Sequence, residues 1–242
     1  MPKVRTARER ARSELTREIK DEARRQLALH GAEALSLRAV ARELGVVSSA
    51  LYRYFPSRDE LLTALIIDAY DAIGQHAEDA DATRRRADFL GRWRACAHAV
   101  RDWAHAHPRE YALIYGSPIV GYQAPRDTVA SAARVPRILL AIVCDCAAAD
   151  ALRPPTDLPG LSRAATKQLG MLVTAVQDLD LGAIPLPTLA AVVTAWTQLY
   201  GMVSFELFGH LEGMFDDKRA MFEHSTGQLA HLIGLRPRPR RA

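Results

Sequence analysis

The chain has 242 residues, of which 49% are apolar and 25% charged, with a formal net charge of +4. This length suits one or two domains with a substantial buried core, and the composition is that of an ordinary globular protein, which excludes a disordered chain. The three cysteines, Cys96, Cys144 and Cys146, give neither a disulfide framework nor a zinc-ligand spacing, so we expect reduced thiols in a cytosolic protein.

The positive charge is concentrated at the two ends of the chain. Residues 1–25 contain nine Lys or Arg against five Asp or Glu, and residues 236–241 contain four Arg and no acid. We expect flexible basic tails at 1–7 and 236–242, with a phosphate-facing arm as the alternative for the N-terminal run. Arg and Glu dominate the first twenty-five residues, so no signal peptide is expected.

The first predicted elements are four helices. Residues 8–30 lack Gly and Pro and place four apolar residues on one stripe, namely Leu15, Ile19, Ala23 and Leu27. A second helix follows Ser36 as its N-cap and ends at Gly45, and a third runs over 47–55 and stops at Pro56. Ser57 and Glu60 predict a capping box for a fourth helix with five inward-facing residues, Leu61, Leu62, Leu65, Ile66 and Ala69.

Longer helices with breaks at Pro and Gly are predicted beyond residue 80. Their approximate ranges are 84–106, 108–115, 126–150, 161–180, 187–208 and 217–234. The most apolar window, 186–208, is interrupted by Gln198 and Glu206, which favours a buried helix over a membrane span. The sequence therefore predicts an all-α protein of nine or ten helices, with a small N-terminal unit and a larger C-terminal bundle.

The second and third helices have the features of a helix–turn–helix. A short turn containing Gly45 joins them, and four apolar residues can lock them together, namely Val40, Leu44, Val46 and Leu51. Packing these residues inward leaves an outer face of Ser48, Ser49, Arg53 and, as a further candidate, Ala50. Tyr52 and Tyr54 would present phenolic hydroxyls to phosphates or base edges, or would pack with Phe55 as an aromatic cluster. Ser57 and Arg58 stand at a helix N-terminus, which favours a phosphate.

This segment resembles the N-terminal domain of the tetracycline-repressor (TetR) family of bacterial transcription regulators. The resemblance rests on the run Leu37-Arg38-x-Val40-Ala41-x-x-Leu44-Gly45-Val46 and on Leu51-Tyr52-x-Tyr54-Phe55-x-Ser57-Arg58-x-Glu60-Leu61-Leu62. It implies an all-α homodimer that binds a palindromic operator and releases it when a small molecule enters the C-terminal domain. It also implies a DNA-binding domain over 8–60 and a domain for ligand binding and dimerisation over 61–235.

The resemblance assigns DNA contacts to seven residues. These are Arg38, Ser48, Ser49, Tyr52, Arg53 and Tyr54, with Arg58 at the position of a phosphate-contacting basic residue. Two positions depart from the family pattern. Val47 stands where a Ser or Thr usually caps the recognition helix, and Ala50 stands where a Thr is common. Ala50 can still contact a thymine methyl group, so the departures affect the expected operator sequence more than DNA binding itself.

A second resemblance covers the C-terminal domain. Trp93, His98, the run Tyr111-x-Leu113-x-Tyr115-Gly116-x-Pro118 and the run Leu199-Tyr200-Gly201 resemble a subgroup of the same family known for a Trp-His-Gly signature. An effector pocket is expected among apolar residues with a few polar groups, namely Trp93, Cys96, Val100, Tyr115, Tyr122 and Met171. The helices near 187–208 and 217–234 would form the homodimer interface, or would be plain core helices.

The predicted function is a cytoplasmic DNA-binding repressor that is not an enzyme and carries no cofactor or metal. The alternatives are an activator, a helical DNA-binding protein without an effector, and an enzyme that uses the Cys and His residues of the C-terminal bundle. No pairing of a base with a nucleophile supports the enzyme, and Cys144 and Cys146 lie on different helix faces, which favours structural thiols over a redox pair.

Overall fold

The structure is a computed structural model that describes residues 6–237, and within this range it contains helices and no strand. Its α-helices are α1 (Ala7–His30), α2 (Leu37–Glu43), α3 (Ser48–Leu51), α4 (Arg58–Ala82), α5 (Phe89–Ala106), α6 (Pro108–Tyr115), α7 (Thr128–Ala132), α8 (Arg134–Ala148), α9 (Arg163–Ala175), α10 (Leu186–Leu207) and α11 (Lys218–Ile233). The all-α prediction is confirmed. The predicted tails fall mainly on residues 1–5 and 238–242, which lie outside the described residues.

Three of the predicted C-terminal helices differ from the observed ones by several residues, and one of them, predicted over 161–180, already ends at Ala175 in α9. The helix predicted over 126–150 is divided into α7 and α8, which raises the number of α-helices in residues 6–237 to eleven. Pro136 explains the division, because it lacks the N–H that would bond the carbonyl of Ala132 and its ring crowds that carbonyl. The helix predicted over 84–106 begins only after Asp88, whose side chain caps α5 by accepting a hydrogen bond from a backbone N–H.

The described chain divides into two compact units. Unit 1 contains residues 6–70 and 108–131, and unit 2 contains residues 71–107 and 132–237. The division falls inside α4, after Tyr70, so this single helix contributes residues to both units. The predicted domain boundary at residue 60 separates a DNA-binding domain from a regulatory domain. The division into compact units does not test these functions, so the boundary stays a prediction.

The core of unit 1 lies between α1, α2, α3 and the first half of α4. Ile19 and Ala23 of the predicted α1 stripe are completely buried, and Leu15 and Leu27 pack against the same core. All five inward-facing residues predicted for α4 are buried. Each fully buried aliphatic side chain contributes about 1.5–3 kcal/mol, so this core fixes the short helices that lie beside it.

Asp68 on α4 also forms ion pairs with two basic residues of α1. Its carboxylate lies 2.8 Å from the Lys20 Nζ atom and accepts a 2.6 Å hydrogen bond from Arg24 Nη2. The three side chains are between 21% and 32% exposed, so water screens these pairs only in part. The two longest helices of unit 1 are therefore joined by charge as well as by apolar packing.

Unit 2 is centred on α5, which contacts its neighbours through buried polar groups. The completely buried Trp93 donates its indole N–H to the carbonyl oxygen of Thr226 on α11 at 3.0 Å. The completely buried Arg92 reaches Asp81 on α4 and Asp145 on α8, each at 2.7 Å. Burial alone would raise the pKa of Asp81, but the hydrogen bonds from the arginine hold it below its ordinary value.

The most apolar window of the sequence forms α10. Its Leu189, Ala195 and Leu199 are completely buried within unit 2, which confirms the prediction of a buried helix. Across residues 6–237, no helix is long and apolar enough to cross a membrane.

Candidate nucleic-acid interface

The helix–turn–helix predicted from the sequence forms within unit 1. After α2 the backbone reverses at Gly45, whose φ of +67° lies in the left-handed region. The N–H of the next residue, Val46, then donates to the carbonyl oxygen of Ala41 at 3.0 Å. A Cβ atom on Gly45 would meet nothing within 4 Å, so the conformation and not a lack of space calls for glycine here.

We expect Gly45→Ala to lower the free energy of unfolding by about 1–2 kcal/mol, because an L-residue in the left-handed region carries that strain. Gly45→Asn should lose less, since Asn tolerates this region better. Chemical denaturation would measure both changes. Gly170→Ala is a matched control, because a Cβ atom on that residue of α9 also meets nothing within 4 Å and its φ is not positive. The control should be neutral or stabilising, and an equal loss in both variants would contradict the explanation.

The third helix is shorter than the predicted range of 47–55. α3 ends at Leu51, and the following turns are tighter, because the N–H groups of Arg53 and Tyr54 donate to carbonyls three residues back at 3.2 and 2.8 Å. Pro56 sets the outer limit of the helical segment, since the residue before a proline, here Phe55, is driven out of the helical region, but this restriction does not reach back to Leu51. The predicted recognition helix is therefore one α-helical turn followed by 3-10-like turns.

Burial separates an inner face and an outer face of this segment. Leu51 is completely buried and Phe55 is 8% exposed, which confirms both as packing residues. Ser49 and Arg53 are exposed, and Tyr52 is 43% exposed. Two further predicted residues, Ser48 and Ala50, are half-buried, while Arg38 on α2 is exposed. The exposed face thus carries a hydroxyl, a phenol and a guanidinium group, all of which hydrogen-bond phosphates and bases.

Val47 occupies the N-cap position of α3. Its backbone is extended, it makes no side-chain capping bond, and it is 71% exposed. A serine or threonine at this position would accept a hydrogen bond from a backbone N–H and typically contribute about 1 kcal/mol. The position of α3 therefore depends on its buried residues and not on a cap.

Tyr54 is half-buried against the core of unit 1, and sequence reasoning missed its partner. The guanidinium carbon of Arg12 on α1 lies 5.6 Å from the centre of the Tyr54 ring, a cation–π contact. Arg12 stands three residues before Leu15 and seven before Ile19, so the helical period that revealed the apolar stripe also placed Arg12 on that face. Its contact orients the Tyr54 ring.

Arg58 makes contacts within unit 1. Its Nη2 atom donates to the carbonyl oxygen of Ala32 at 2.8 Å, its Nη1 atom lies 3.2 Å from Asp59 Oδ1, and its side chain is 30% exposed. These bonds tie the start of α4 to the short 3-10 turn after α1. The capping bond predicted for this helix is present, since the N–H of Glu60 donates to Ser57 Oγ at 3.1 Å. The predicted phosphate contact of Arg58 stays a prediction.

The six residues predicted to line an effector pocket are distributed over both units. Trp93, Cys96 and Val100 are completely buried on α5, and Met171 on α9 is 58% exposed. Tyr115 and Tyr122 belong to unit 1, where the hydroxyl of Tyr122 lies 2.8 Å from that of Thr63. The pocket assignment stays a prediction.

The three cysteines are free thiols in environments that disfavour the thiolate. Burial raises the pKa of Cys96 to about 12, and burial likewise raises the pKa of Cys144 and of Cys146 to about 11. A nucleophilic cysteine needs a lowered pKa, so these values favour the structural thiols predicted from the sequence. Within residues 6–237, no three His, Cys, Asp or Glu side chains are grouped so that they could hold a metal ion.

Two family models match the chain. Residues 19–65 match the bacterial regulatory proteins of the tetR family, and residues 93–229 match the tetracyclin repressor-like C-terminal domain. The second match alone spans more than half of the chain. Placement in the Trp-His-Gly subgroup stays a prediction.

The chain is also similar to curated mycobacterial regulators. The HTH-type transcriptional regulators Rv1816 of Mycobacterium tuberculosis and Mb1846 of Mycobacterium bovis are each 49% identical over 127 residues, which is 51% of this chain and 53% of theirs. The chain thus spans about half the length of the curated relatives it matches.

Solved structures show the same fold along most of the chain. The crystal structure of the regulatory protein SCO4313 is 38% identical, covers 93% of this chain and 98% of its own, and superposes with a TM-score of 0.72. PfmR of Thermus thermophilus, a TetR family transcriptional regulator, shares the fold at 17% identity and a TM-score of 0.53, over 90% of this chain and 99% of its own. The matched family models, the identity to SCO4313 and the helix–turn–helix agree, and the chain belongs to the TetR family of bacterial regulatory proteins.

Proposed function

We propose that this chain is a DNA-binding transcriptional regulator that reads its operator with α3 and the turns after it. The observation that carries the proposal is the exposure of Ser49, Tyr52 and Arg53 beside the completely buried Leu51. Because the inner face is packed into the core, the outer face is presented by a rigid support, as base readout in the major groove requires. The curated relatives are HTH-type transcriptional regulators, which supports this function.

A homodimer that uses α10 and α11 fits the exposed apolar residues of unit 2. Phe205 on α10 is 55% exposed, Met214 between the helices 63%, and Met221 on α11 38%. Large apolar side chains that are exposed together mark a protein-interaction surface. A palindromic operator has half-sites about 34–36 Å apart along the DNA, and a dimer with a two-fold axis matches the symmetry of such a site.

The regulator is proposed to act as a repressor in the cytoplasm and to leave its operator when a small molecule binds unit 2. Support comes from α4, because one continuous helix supplies residues to both units. A shift of this helix need change operator affinity by only about 1–3 kcal/mol to act as a switch. The proposed activity includes no catalysis and no cofactor. The alternative to repression is that the regulator activates transcription.

Selection of bound sequences from a random DNA pool tests the proposed function. We expect the purified full chain to enrich a palindrome whose half-sites are about 10–10.5 base pairs apart, or a multiple of that spacing. A variant carrying Ser49→Ala, Tyr52→Ala and Arg53→Ala serves as the control and should enrich no sequence. Failure of the unaltered chain to enrich any sequence would refute operator reading. An enriched site without two-fold symmetry would refute the homodimer alone.

A further inference from the structure

Unit 2 contains an open groove of about 690 Å³ between the end of α4, α5 and α11. Its floor consists of small residues, Ala80 on α4 with Gly91, Ala95 and Ala99 on α5. The volume falls in the range of small-molecule sites, about 300–1,000 Å³. The space exists because the residues that form its floor have small side chains.

The rim of the groove carries three arginines. Arg219 on α11 is paired with Asp102 on α5, with Nη1 and Oδ1 2.9 Å apart. Arg84 and Arg94 line the same groove, and within residues 6–237 neither makes an ion pair or a side-chain hydrogen bond. The guanidinium of Arg94 lies against α11 at Gly227, where an added Cβ atom would come within 3.4 Å of Nη2. Two arginines of the groove therefore have no ion-pair partner within residues 6–237.

Two further acids line the groove, but within residues 6–237 neither forms an ion pair with Arg84 or Arg94. Asp79 accepts a hydrogen bond from Gln75 Nε2 at 2.8 Å, and Glu223 lies on the α11 side of the rim. Guanidinium groups without a carboxylate partner remain available for the bidentate hydrogen bonds that carboxylates and phosphates accept.

His98 supplies a polar group that has no partner. Its ring lines the groove and packs edge-on against Phe222, with the ring centres 5.4 Å apart. Its Nδ1 atom is shielded from solvent and makes no hydrogen bond within the described chain. Burial, followed by the nearby Arg219, lowers the pKa of His98, so the imidazole is neutral at neutral pH. A buried nitrogen without a hydrogen-bond partner is unfavourable, and a hydrogen bond to a bound ligand would compensate for it.

We propose that this groove binds a small molecule through a carboxylate or phosphate group, with Arg84 and Arg94 as its charged contacts and His98 as a hydrogen-bonding group. The proposal deepens the proposed function, in which a small molecule binds unit 2, by naming where and through which groups the molecule binds. Only its use as the site of the regulatory ligand would rest on that function.

The groove and the apolar surface proposed for dimerisation involve different residues of α11. Arg219 lines the groove, whereas Met221, two residues later on α11, belongs to the exposed apolar surface. Two residues are about 200° apart around an α-helix, so the groove and the apolar surface lie on different sides of α11.

Isothermal titration of the full chain with inorganic phosphate and, separately, with succinate tests the site without DNA. We expect the double variant Arg84→Gln, Arg94→Gln to bind the recognised anion at least tenfold more weakly than the unaltered chain. Ala95→Leu should also weaken binding at least tenfold, since it fills the floor without changing any charge. Arg163→Gln, an exposed position on α9 outside the groove, is the matched control and should change the affinity less than twofold.

Each outcome of the titration decides the proposal. Binding of phosphate alone identifies a phosphate ligand, binding of succinate alone identifies a carboxylate ligand, and both anions together identify a general oxyanion site. The proposal is overturned if neither anion binds the unaltered chain at millimolar concentration. It is also overturned if Arg163→Gln weakens binding as much as the double variant, because the anion would then be attracted by the overall positive charge of the protein and not by the groove. If the double variant fails to fold by circular dichroism, Ala95→Leu and the control decide alone.

Discussion

Arg101→Met should lower the free energy of unfolding by about 3–5 kcal/mol, because it removes the guanidinium partner of the buried Glu206 carboxylate and leaves it only the contact with His105 at 3.2 Å. Arg101 on α5 and Glu206 on α10 are each 8% exposed. The Arg101 Nε atom donates to Glu206 Oε2 at 2.8 Å, and Nη2 donates to the other carboxylate oxygen. Methionine replaces most of the aliphatic volume but none of these bonds. Urea denaturation would measure the loss, and each 1 kcal/mol should also lower Tm by about 2–4 °C.

The pH dependence of this loss provides a second test. Burial alone would raise the pKa of Glu206, but its hydrogen bonds and charge interactions with Arg101, and then His105, hold it below 4.5. A carboxyl with a lowered pKa in the folded state contributes stability above its unfolded pKa, and this contribution is lost as the pH falls through the folded pKa. The difference in stability between the unaltered chain and Arg101→Met should therefore shrink as the pH falls below the ordinary glutamate pKa of about 4.3 and through the lowered folded pKa of Glu206.

Arg137→Met is the control for the buried pair. Arg137 contacts Asp178 through two nitrogens, but their side chains are 46% and 50% exposed, so the pair contributes only about 0–1 kcal/mol. An Arg101→Met variant that lost no more stability than Arg137→Met would show that burial does not strengthen the first pair.

The sequence predicted the apolar part of the fold and missed the buried ion pairs. The stripe of α1 and the inward face of α4 follow the helical period, which is a local property of the chain. By contrast, Glu206 looked only like an interruption of an apolar window, and its partner Arg101 lies 105 residues away. No rule of spacing connects two charges on helices so far apart, so this contact needs the folded structure.

The candidate site was predicted to a similar extent. Once Leu51 and Phe55 are assigned to the core, helical geometry leaves Ser49, Tyr52 and Arg53 outside, as the structure has them. The bond from Arg58 to the carbonyl oxygen of Ala32 could not be inferred, because the acceptor is a backbone atom and its position depends on how the turn after α1 packs. The local sequence pattern thus predicts which residues are exposed. Tertiary packing, in contrast, determines which basic residues already have hydrogen-bond partners within the protein.

Arg53→Ala should weaken binding to the selected operator by about 1–3 kcal/mol for each half-site, the range for a good side-chain contact to a base. Each 1.4 kcal/mol corresponds to about a tenfold change in Kd. Arg53 is exposed and makes no ion pair within the described chain, so we expect unfolding to change by less than about 0.5 kcal/mol. Fluorescence anisotropy at several salt concentrations would measure the affinity and identify the kind of contact.

The salt series separates the two contacts that Arg53 could make. A phosphate contact predicts uniform weakening on all DNA and a salt slope smaller by about 1, whereas a base contact predicts a loss confined to the operator. Tyr52→Phe removes a single hydroxyl and should cost less, about 0.5–1.5 kcal/mol. Arg163→Ala, exposed on α9, should change neither affinity nor slope. Unchanged operator affinity in Arg53→Ala would contradict the assignment, because the exposed guanidinium group would then make no contact with DNA.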